Sequence, residues 1–576
     1  MEKYITDAYE RWCASPSVDE QTKAELAAIA GNEDEIKSRF VSYLSFGTGG
    51  LRGHMAAGTN RMNVYTVAHA TQGLAELILS EGCEARGVAV ACDSRNNSER
   101  FSKTAAEVLA GNGIKVYIYD SLRPTPMLSF AVRYHGCIAG INITASHNPK
   151  EYNGYKAYWE DGAQLAPEQA AVVSESMSRV DIFDGVKRLD FDRGVEDGII
   201  TVIGKETDDA YVKCVLAEAV NPDAVKAEAE NLKIVYTPLF GAGYKMVPRV
   251  LKEIGVKHLY PVEFESIPNG DFPGLKNPNP EFKEAFTRGL MLAEKVGSNL
   301  IIATDPDSDR VGVMAKSASG EFVTITGNQM GALLLDYIIA AYRERGTMPP
   351  EPYAVKTIVT TEMASKICEE GGVALYNVLT GFKFIGEVIK QHEAAGHGTY
   401  IFGFEESYGY LKGTYARDKD AVVASMLITE MAAYYSAKGM TLADALASLY
   451  ERYGCYREVT KSIMMEGLDG AEKIKGLMNK LRKTPPAEFA GRSVTHVRDY
   501  LARTITETAT GNVSDTGLPE SDVMYFSIEG GDVIVCRPSG TEPKIKLYFL
   551  AGDVSAEAAD EKIEAYRKSL YSFLGV

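Results

Sequence analysis

The stretch that decides the fold covers residues 300–310 and reads LIIATDPDSDR. Its first five residues, 300–304, are apolar or small without alternation, which predicts a strand buried on both faces. Buried strands of this kind belong to parallel sheets that are covered by helices. Ligands of such sheets bind beyond the carboxyl ends of the strands, so the acidic residues that follow are predicted to lie at a site.

The same succession of buried strand and polar loop occurs twice more. Residues 138–144 precede Ala145-Ser146-His147, and residues 400–404 precede Glu405-Glu406-Ser407. Helical stretches separate these strands from others of similar composition, which predicts three similar mixed α/β domains. The other predicted strands of these domains are residues 88–92, 116–119, 233–236, 353–359 and 373–377.

The C-terminal part of the chain has a different pattern. Residues 524–528 and 533–536 predict a hairpin that turns at Gly530-Gly531. Another strand at 544–550 and a closing amphipathic helix at 556–573 complete a smaller α+β domain. A chain of 576 residues is too long for one core, and the predicted domains are 1–203 (with a helical N-terminal extension), 204–326, 327–452 and 453–576.

The bulk charge excludes some partners. The chain has 61 basic and 78 acidic residues, a net charge of −17, which disfavours nucleic acid and anionic membranes as partners. The N-terminal residues have no apolar core typical of a signal peptide, and no obligate protein partner is evident. The eight cysteines contain no C-x-x-C pair, which predicts reduced thiols and a cytoplasmic location.

The loop after residues 138–144 presents a serine. Ser146 follows a buried strand and precedes turn-forming residues, so it is expected to point outward. His147 can orient its hydroxyl, and Lys156 can neutralise an oxyanion. An ordinary Ser-His-Asn-Pro turn is the alternative interpretation. The G-x-S-x-G pattern of serine hydrolases is absent around Ser146.

The acidic loop is predicted to bind a cation. Asp305, Asp307 and Asp309 would repel one another unless a cation lay between them, and oxygen ligands suit Mg²⁺. An EF-hand is excluded, because Arg310 and Lys316 occupy the positions of its glycine and glutamate. A phosphatase that uses Asp305 as its nucleophile and a solvated acidic turn remain as alternatives.

Two further loops have polar residues suited to bind a ligand. Glu405 and Ser407 can hydrogen-bond adjacent sugar hydroxyls, although a plain exit from the strand is the alternative. Residues 537–544 combine an arginine, hydroxyls, a glycine and a lysine, which suits an anion, although a basic hairpin tip is the alternative. Residues 47–53 lack dinucleotide-binding spacing, and we interpret them as a flexible loop that carries Arg52 toward a phosphate.

Together the four loops resemble those of the α-D-phosphohexomutase family. The matching motifs are Thr-Ala-Ser-His-Asn-Pro at 144–149, Asp-x-Asp-x-Asp-Arg at 305–310, Gly-x-Glu-x-Ser at 403–407 and Arg-Pro-Ser-Gly-Thr-Glu-Pro at 537–543, in family order. The resemblance implies four domains around a central cleft. It also implies a phosphotransferase that interconverts sugar phosphates through a phosphoserine and a bisphosphate intermediate.

The resemblance implies a role for each matching residue. Ser146 would be the phosphorylated serine and, with Asp305, Asp307 and Asp309, would bind one Mg²⁺ per chain. Glu405 and Ser407 would bind sugar hydroxyls. The phosphate that is not transferred would bind to Arg537, Ser539, Gly540 and Thr541. The remaining residues implied at the transfer centre are Arg52, His147, Lys156, Arg310 and Lys383, with Asp93 and Arg95 placed near it less specifically.

The sugar loop favours glucose phosphates. Family members that act on mannose or glucosamine phosphates tend to have Glu-x-Ser-Gly-His, whereas here Ser407 is followed by Tyr408-Gly409-Tyr410. The resemblance therefore implies interconversion of glucose 1-phosphate and glucose 6-phosphate, with glucose 1,6-bisphosphate as activator. The first alternative is a mutase that acts on pentose or mannose phosphates. The second, less favoured alternative is a Mg²⁺-dependent sugar phosphatase.

Overall fold

The computed structural model describes residues 1–465, 470–539 and 544–576. These residues form two compact units. The first unit comprises residues 1–325, 389–394 and 409–439, and the second comprises 326–388, 395–408 and 440–576. Among the helices that the structure describes, none combines the length and the apolar character needed to cross a membrane.

The N-terminal residues form three helices that pack on the first sheet domain. Trp12 is buried, and its ring meets those of Phe40, Tyr65 and Phe183 edge-to-face at centroid distances of 5.8, 5.2 and 5.4 Å. Such contacts between aromatic side chains bury large apolar areas, so the extension shares the core of this domain. The three helices are α1 (Lys3–Ala14), α2 (Glu20–Ala28) and α3 (Glu33–Phe40).

The first sheet has the strand order β1-β5-β4-β2-β3-β6. Strands β4, β2, β3 and β6 are parallel, and β5 and β1 add an antiparallel edge. The strands are β1 (Leu51–His54), β2 (Val88–Cys92), β3 (Val116–Tyr119), β4 (Ala139–Ile143), β5 (Tyr152–Trp159) and β6 (Ile200–Ile203). The helices are α4 (Val64–Ser80), α5 (Ser98–Gly111), α6 (Thr125–Tyr134), α7 (Pro167–Arg179) and α8 (Phe191–Glu196).

The second sheet repeats this design with the order β11-β10-β9-β7-β8. Strands β9, β7 and β8 are parallel, whereas β10 and β11 are antiparallel. The strands are β7 (Lys233–Thr237), β8 (His258–Pro261), β9 (Leu300–Thr304), β10 (Val311–Lys316) and β11 (Phe322–Ile325). The helices are α9 (Lys205–Ala217), α10 (Pro222–Ala227), α11 (Gly243–Glu253) and α12 (Thr287–Val296), with single 3₁₀ turns at Glu263–Ser266 and Lys283–Phe286.

The next part of the chain contributes to both units. Parallel strands β13, β12 and β14 lie side by side in the second unit. The strands are β12 (Pro352–Thr357), β13 (Ala374–Val378), β14 (Thr399–Glu405) and β15 (Gly409–Leu411). The helices are α13 (Gly327–Arg345), α14 (Met363–Gly371), α15 (Phe382–Ala395), α16 (Ala421–Ser436) and α17 (Leu442–Tyr453). Strand β15 and helix α16 belong to the first unit.

The C-terminal residues form an antiparallel sheet with the order β16-β23-β22-β21-β18-β19-β20, and β17 pairs with β18. The strands are β16 (Cys455–Met464), β17 (Glu488–Phe489), β18 (Arg492–Asp499), β19 (Thr504–Glu507), β20 (Val513–Asp515), β21 (Met524–Ile528), β22 (Val533–Pro538) and β23 (Lys544–Asp553). The helices are α18 (Gly470–Lys483) and α19 (Ala556–Leu574).

The predicted α/β class is confirmed, with three mixed sheets followed by the smaller C-terminal domain. One local prediction is wrong, because Arg52 lies on strand β1 and not on a flexible loop. The strand forms by antiparallel pairing with the edge of β5, where Arg52 stands opposite Gly154. The predicted domain boundaries at 203, 326 and 452 stay predictions.

Candidate active site

Ser146 lies just beyond the carboxyl end of β4 and is 3% exposed. Its backbone has φ = 52°, a left-handed conformation that costs a non-glycine residue on the order of 1–3 kcal/mol and often occurs at functional sites. The Oγ atom donates a hydrogen bond of 2.8 Å to Asp305 Oδ2 and lies 3.3 Å from His147 Nδ1. The serine is therefore held against the acidic loop.

The acidic loop follows β9 directly, as the sequence predicts. Asp305, Asp307 and Asp309 are almost completely buried, and one oxygen of each lies within 4.8 Å of the others. Asp305 Oδ1 accepts hydrogen bonds from the backbone N–H groups of Asp309 (3.1 Å) and Arg310 (3.0 Å). Burial and the two neighbouring carboxylates raise the pKa of Asp305 well above its usual range.

These carboxylates fit a divalent cation. Asp307 Oδ1 and Asp309 Oδ1 are buried and have no hydrogen-bond partner among the residues that the structure describes. Leaving buried carboxylate oxygens unpaired is costly, whereas a cation would satisfy them. An all-oxygen set is typical of Mg²⁺ and not of zinc or copper. The serine–aspartate cluster (Ser146, Asp305, Asp307 and Asp309) is thus suited to bind Mg²⁺.

Two lysines neutralise the Oδ2 atoms of Asp307 and Asp309. Lys156 Nζ, on β5, lies 2.7 Å from Asp307 Oδ2 and 3.1 Å from Asp309 Oδ2. Burial alone would raise the pKa of Asp307, but the Lys156 ammonium outweighs that effect and holds this pKa below its usual range. Lys419 Nζ lies 3.3 Å from Asp309 Oδ2 and 2.8 Å from Asp418 Oδ1.

The sequence interpretation missed Lys419, Asp418 and Thr125. Thr125 donates a 2.7 Å hydrogen bond to Asp307 Oδ2, and its backbone N–H bonds the Asp307 carbonyl at 2.8 Å. The available signal for Lys419 is the charged run Arg417-Asp418-Lys419-Asp420, which stands immediately before an apolar helix. Runs of charge are usually solvated, yet all four of these residues are buried.

Arg310, His147 and Arg52 complete the predicted residues of the first unit. Arg310 Nη1 pairs with Glu281 at 2.6 Å, and its Nε lies 3.8 Å from Asp309 Oδ1. Arg52 Nη1 donates to Asn148 Oδ1 at 3.1 Å. Burial and the positive charges of Arg310 and Arg52 hold the pKa of His147 well below its usual range, so this ring is neutral beside the serine at pH 7.

The second unit contains the other predicted residues. Glu405 Oε1 accepts a 2.9 Å hydrogen bond from the Gly381 backbone N–H, which links the end of β14 to the start of helix α15, the helix that contains Lys383. Ser407 follows in the turn after β14, and Arg537 is the penultimate residue of β22, with Ser539 just beyond the strand. Burial, with nearby Glu406, raises the pKa of Tyr548 to about 12, and Arg537 bonds the same phenol. The predicted Gly540 and Thr541 lie outside the described residues.

The carboxyl group of Glu458 lies near the turn that follows β14. Glu458, on β16, lines a cavity of about 150 Å³ together with Glu406 and Tyr408. Burial raises the pKa of Glu458 from 4.5 to about 7, although a hydrogen bond from Thr361 and the charges of Arg457 and Lys356 oppose this effect. The folded protein therefore binds this proton more tightly than the unfolded chain does.

We expect the second unit to lose stability as the pH rises from about 4.5 to about 7 and the loss to level off above that range, because the native carboxyl must ionise in a desolvated, half-buried position. Glu458→Gln should therefore raise the melting temperature at about pH 8 and change it less at about pH 5. Thermal melts at the two pH values measure the difference. Glu561→Gln, at an exposed site on α19, is the matched control, and an equal effect of both variants would contradict the assignment.

The fold and this site define a class of enzyme, the phosphosugar mutases. Family models described as phosphoglucomutase/phosphomannomutase α/β/α domains I, II and III match residues 43–182, 209–320 and 326–453. The chain therefore belongs to the phosphoglucomutase/phosphomannomutase family. The resemblance inferred from the four loops is confirmed, and the three α/β/α domains with a C-terminal, mostly stranded domain agree with the four predicted.

Individual relatives match this chain over nearly their whole length. The phosphoglucomutase of Staphylococcus saprophyticus is 36% identical over 533 residues, which cover 92% of this chain and 95% of that protein. A phosphoglucomutase of Staphylococcus aureus is 35% identical over 532 residues, covering 92% of this chain and 94% of that protein. The crystal structure of parafusin from Paramecium, an exocytosis-sensitive phosphoprotein and phosphoglucomutase, has a TM-score of 0.68 at 17% identity and covers 93% of this chain and 97% of that one.

Proposed function

We propose that the protein is a phosphoglucomutase, which interconverts glucose 1-phosphate and glucose 6-phosphate through a phosphoserine at Ser146. The observation that carries the proposal is the hydroxyl of Ser146, buried and 2.8 Å from a carboxylate of the acidic loop. Relatives that match nearly the whole chain are named phosphoglucomutases, which supports glucose phosphates as substrates.

In the first half-reaction a free hydroxyl of the sugar phosphate attacks the phosphorus of phospho-Ser146. The bond between phosphorus and Ser146 Oγ breaks, the attacking sugar hydroxyl loses its proton, and Oγ regains one; His147 Nδ1 and Asp305 Oδ2 both lie within hydrogen-bond distance of Oγ. The product is glucose 1,6-bisphosphate. In the second half-reaction Ser146 Oγ attacks the phosphorus of the other phosphate, the bond between that phosphorus and the sugar oxygen breaks, and the sugar oxygen takes up the proton that Oγ loses.

The charges around Ser146 suit the transfer of an anionic group. Lys156 and Arg310 supply positive charge for the phosphoryl oxygens, as the preorganised groups of phosphotransferases do. Mg²⁺ held by Ser146, Asp305, Asp307 and Asp309 would act as a Lewis acid on the phosphoryl oxygens. In the second unit we assign sugar hydroxyls to Glu405 and Ser407, and the phosphate that is not transferred to Arg537, Ser539 and the adjacent residues 540 and 541. Lys383 is assigned to the transfer centre.

The test is a coupled assay of both possible products. With Mg²⁺, glucose 1-phosphate and a trace of glucose 1,6-bisphosphate, the purified protein is expected to form glucose 6-phosphate without releasing inorganic phosphate. Steady release of inorganic phosphate would overturn the mutase assignment and identify the protein as a phosphatase. Turnover of ribose 1-phosphate or mannose 1-phosphate alone would keep the mutase and overturn the glucose assignment. One Mg²⁺ per chain, activation by the bisphosphate and a cytoplasmic location remain predictions.

A further inference from the structure

Arg95 bonds the backbone of the loop that carries Ser146. Its Nη2 atom donates to the carbonyl oxygens of Ser146 and Asn148, both at 2.5 Å. Its Nη1 atom donates to the carbonyl oxygens of Pro149 (2.9 Å) and Tyr152 (3.0 Å). One guanidinium group therefore binds four carbonyl oxygens of the serine loop (residues 145–152), and Arg95 is 3% exposed.

The backbone N–H of Ser146 is also fixed by the segment that contains Arg95, residues 93–95. Ser146 N donates to Thr144 Oγ1 at 2.8 Å, and this hydroxyl donates to Asp93 Oδ2 at 2.6 Å. Asp93 in turn accepts the backbone N–H of Arg95 at 2.9 Å. Residues 93–95 thus fix both backbone groups of Ser146: Arg95 bonds its carbonyl oxygen, and Asp93 bonds the Thr144 hydroxyl that accepts its N–H. The left-handed φ of Ser146 lies between these two groups. A non-glycine residue keeps such a conformation only when its surroundings enforce it.

A loop of the second sheet domain covers Arg95. The ring of Phe272 lies over the guanidinium, with its centroid 5.1 Å from Cζ. Asp271 accepts a 3.1 Å hydrogen bond from Asn96 Nδ2. A side chain at Gly270 would come within 2.3 Å of the Asn96 backbone nitrogen, so the two loops are in close backbone contact. The Phe272 ring thus covers a face of the Arg95 guanidinium, which is 3% exposed.

We propose that Arg95 is a positioning residue for phosphoryl transfer: it holds the serine loop in the conformation that places Ser146 Oγ against Asp305, and Phe272 secures it. The catalytic part of this inference rests on the proposed function. Arg95 does not bind the phosphosugar in this assignment, so its loss should lower kcat much more than it changes KM. Planar guanidinium geometry matters, because a lysine ammonium is a single point charge that cannot span four carbonyl oxygens.

The test compares Arg95→Lys with Arg86→Lys. Arg86 provides the matched control, because it also donates to two main-chain carbonyl oxygens of the first sheet domain, those of Gly136 (3.2 Å) and Cys137 (3.3 Å). These contacts lie just before the first residues of strands β2 and β4, whereas Ser146 lies beyond the carboxyl end of β4. For Arg95→Lys we expect kcat to fall by about 100-fold, the cost of misplacing a reacting group by about 1 Å, with KM changed less than about threefold. Arg86→Lys should retain both constants.

The second measurement is hydrogen–deuterium exchange of the full chain without substrate. In Arg95→Lys the amides of residues 145–152 should exchange about tenfold faster than in the wild-type protein. Peptides that contain neither the serine loop nor residues 269–272 should keep their wild-type exchange rates. Unchanged exchange in the serine loop would overturn the proposal, and faster exchange with unchanged kcat would overturn its catalytic part. If the wild-type protein turned over no glucose 1-phosphate, the proposed function would fail, and the exchange data would still decide whether Arg95 holds the loop.

Discussion

Ser146→Ala is expected to abolish the interconversion of glucose 1-phosphate and glucose 6-phosphate. Without Oγ no phosphoserine forms, so both half-reactions lose their common intermediate. Removal of a nucleophile typically lowers kcat by about 10⁵-fold or more. The fold should persist, because the Ser146 backbone contacts to Thr144 and Arg95 do not involve the hydroxyl. The variant should also gain no phosphoryl group when incubated with glucose 1,6-bisphosphate, as judged by intact mass.

Ser102→Ala is the control for that experiment. Ser102 is a buried serine of the same domain whose Oγ donates to the Glu99 carbonyl oxygen at 2.9 Å, within helix α5. It should retain both turnover and phosphorylation. If Ser146→Ala kept near-normal turnover with an intact fold, phosphoserine chemistry at this position would be refuted.

Asp307→Asn should have the second largest effect. The amide keeps the shape of the side chain but removes one of the buried charges that pair with Lys156 and suit Mg²⁺. Loss of this electrostatic contribution is expected to cost about 4 kcal/mol of transition-state stabilisation, which corresponds to about 10³-fold in kcat. We also expect Mg²⁺ to raise the melting temperature of the wild-type protein and not that of this variant.

The matched control is Asp336→Asn in the second unit. Asp336 is also a buried carboxyl, paired with Arg452 at 3.0 Å, and its loss should lower stability without changing the response to Mg²⁺. An Asp307→Asn variant that still gains stability from Mg²⁺ to the wild-type extent would show that the cation binds elsewhere.

The part of the site that follows single buried strands could be predicted from sequence. Ser146 and the acidic loop each follow such a strand, where the chain must leave the sheet, and ligands of parallel sheets bind at the carboxyl ends of the strands. The local pattern therefore contained both the identity and the location of these residues. Their mutual distances, such as 2.8 Å between Ser146 and Asp305, depend on how two sheet domains pack and could not be derived.

The residues that were missed depend on tertiary structure alone. Lys419 lies in a charged run, and only the fold shows that this run is buried beside Asp309. Strand β1 was missed because the residues around Arg52 are rich in glycine and have little intrinsic preference for a strand. The open edge of β5 supplies the pairing that the local sequence does not.

The left-handed backbone at Ser146 implies that selection has accepted a less stable protein in exchange for activity. Glycine suits φ = 52° better than any other residue but has no hydroxyl to phosphorylate. Ser146→Gly should therefore melt at a higher temperature than Ser146→Ala, by an amount equivalent to about 1 kcal/mol, although both are inactive. Equal melting temperatures would argue against this trade-off. A serine at this position marks a site where evolution has favoured chemistry over the most stable chain.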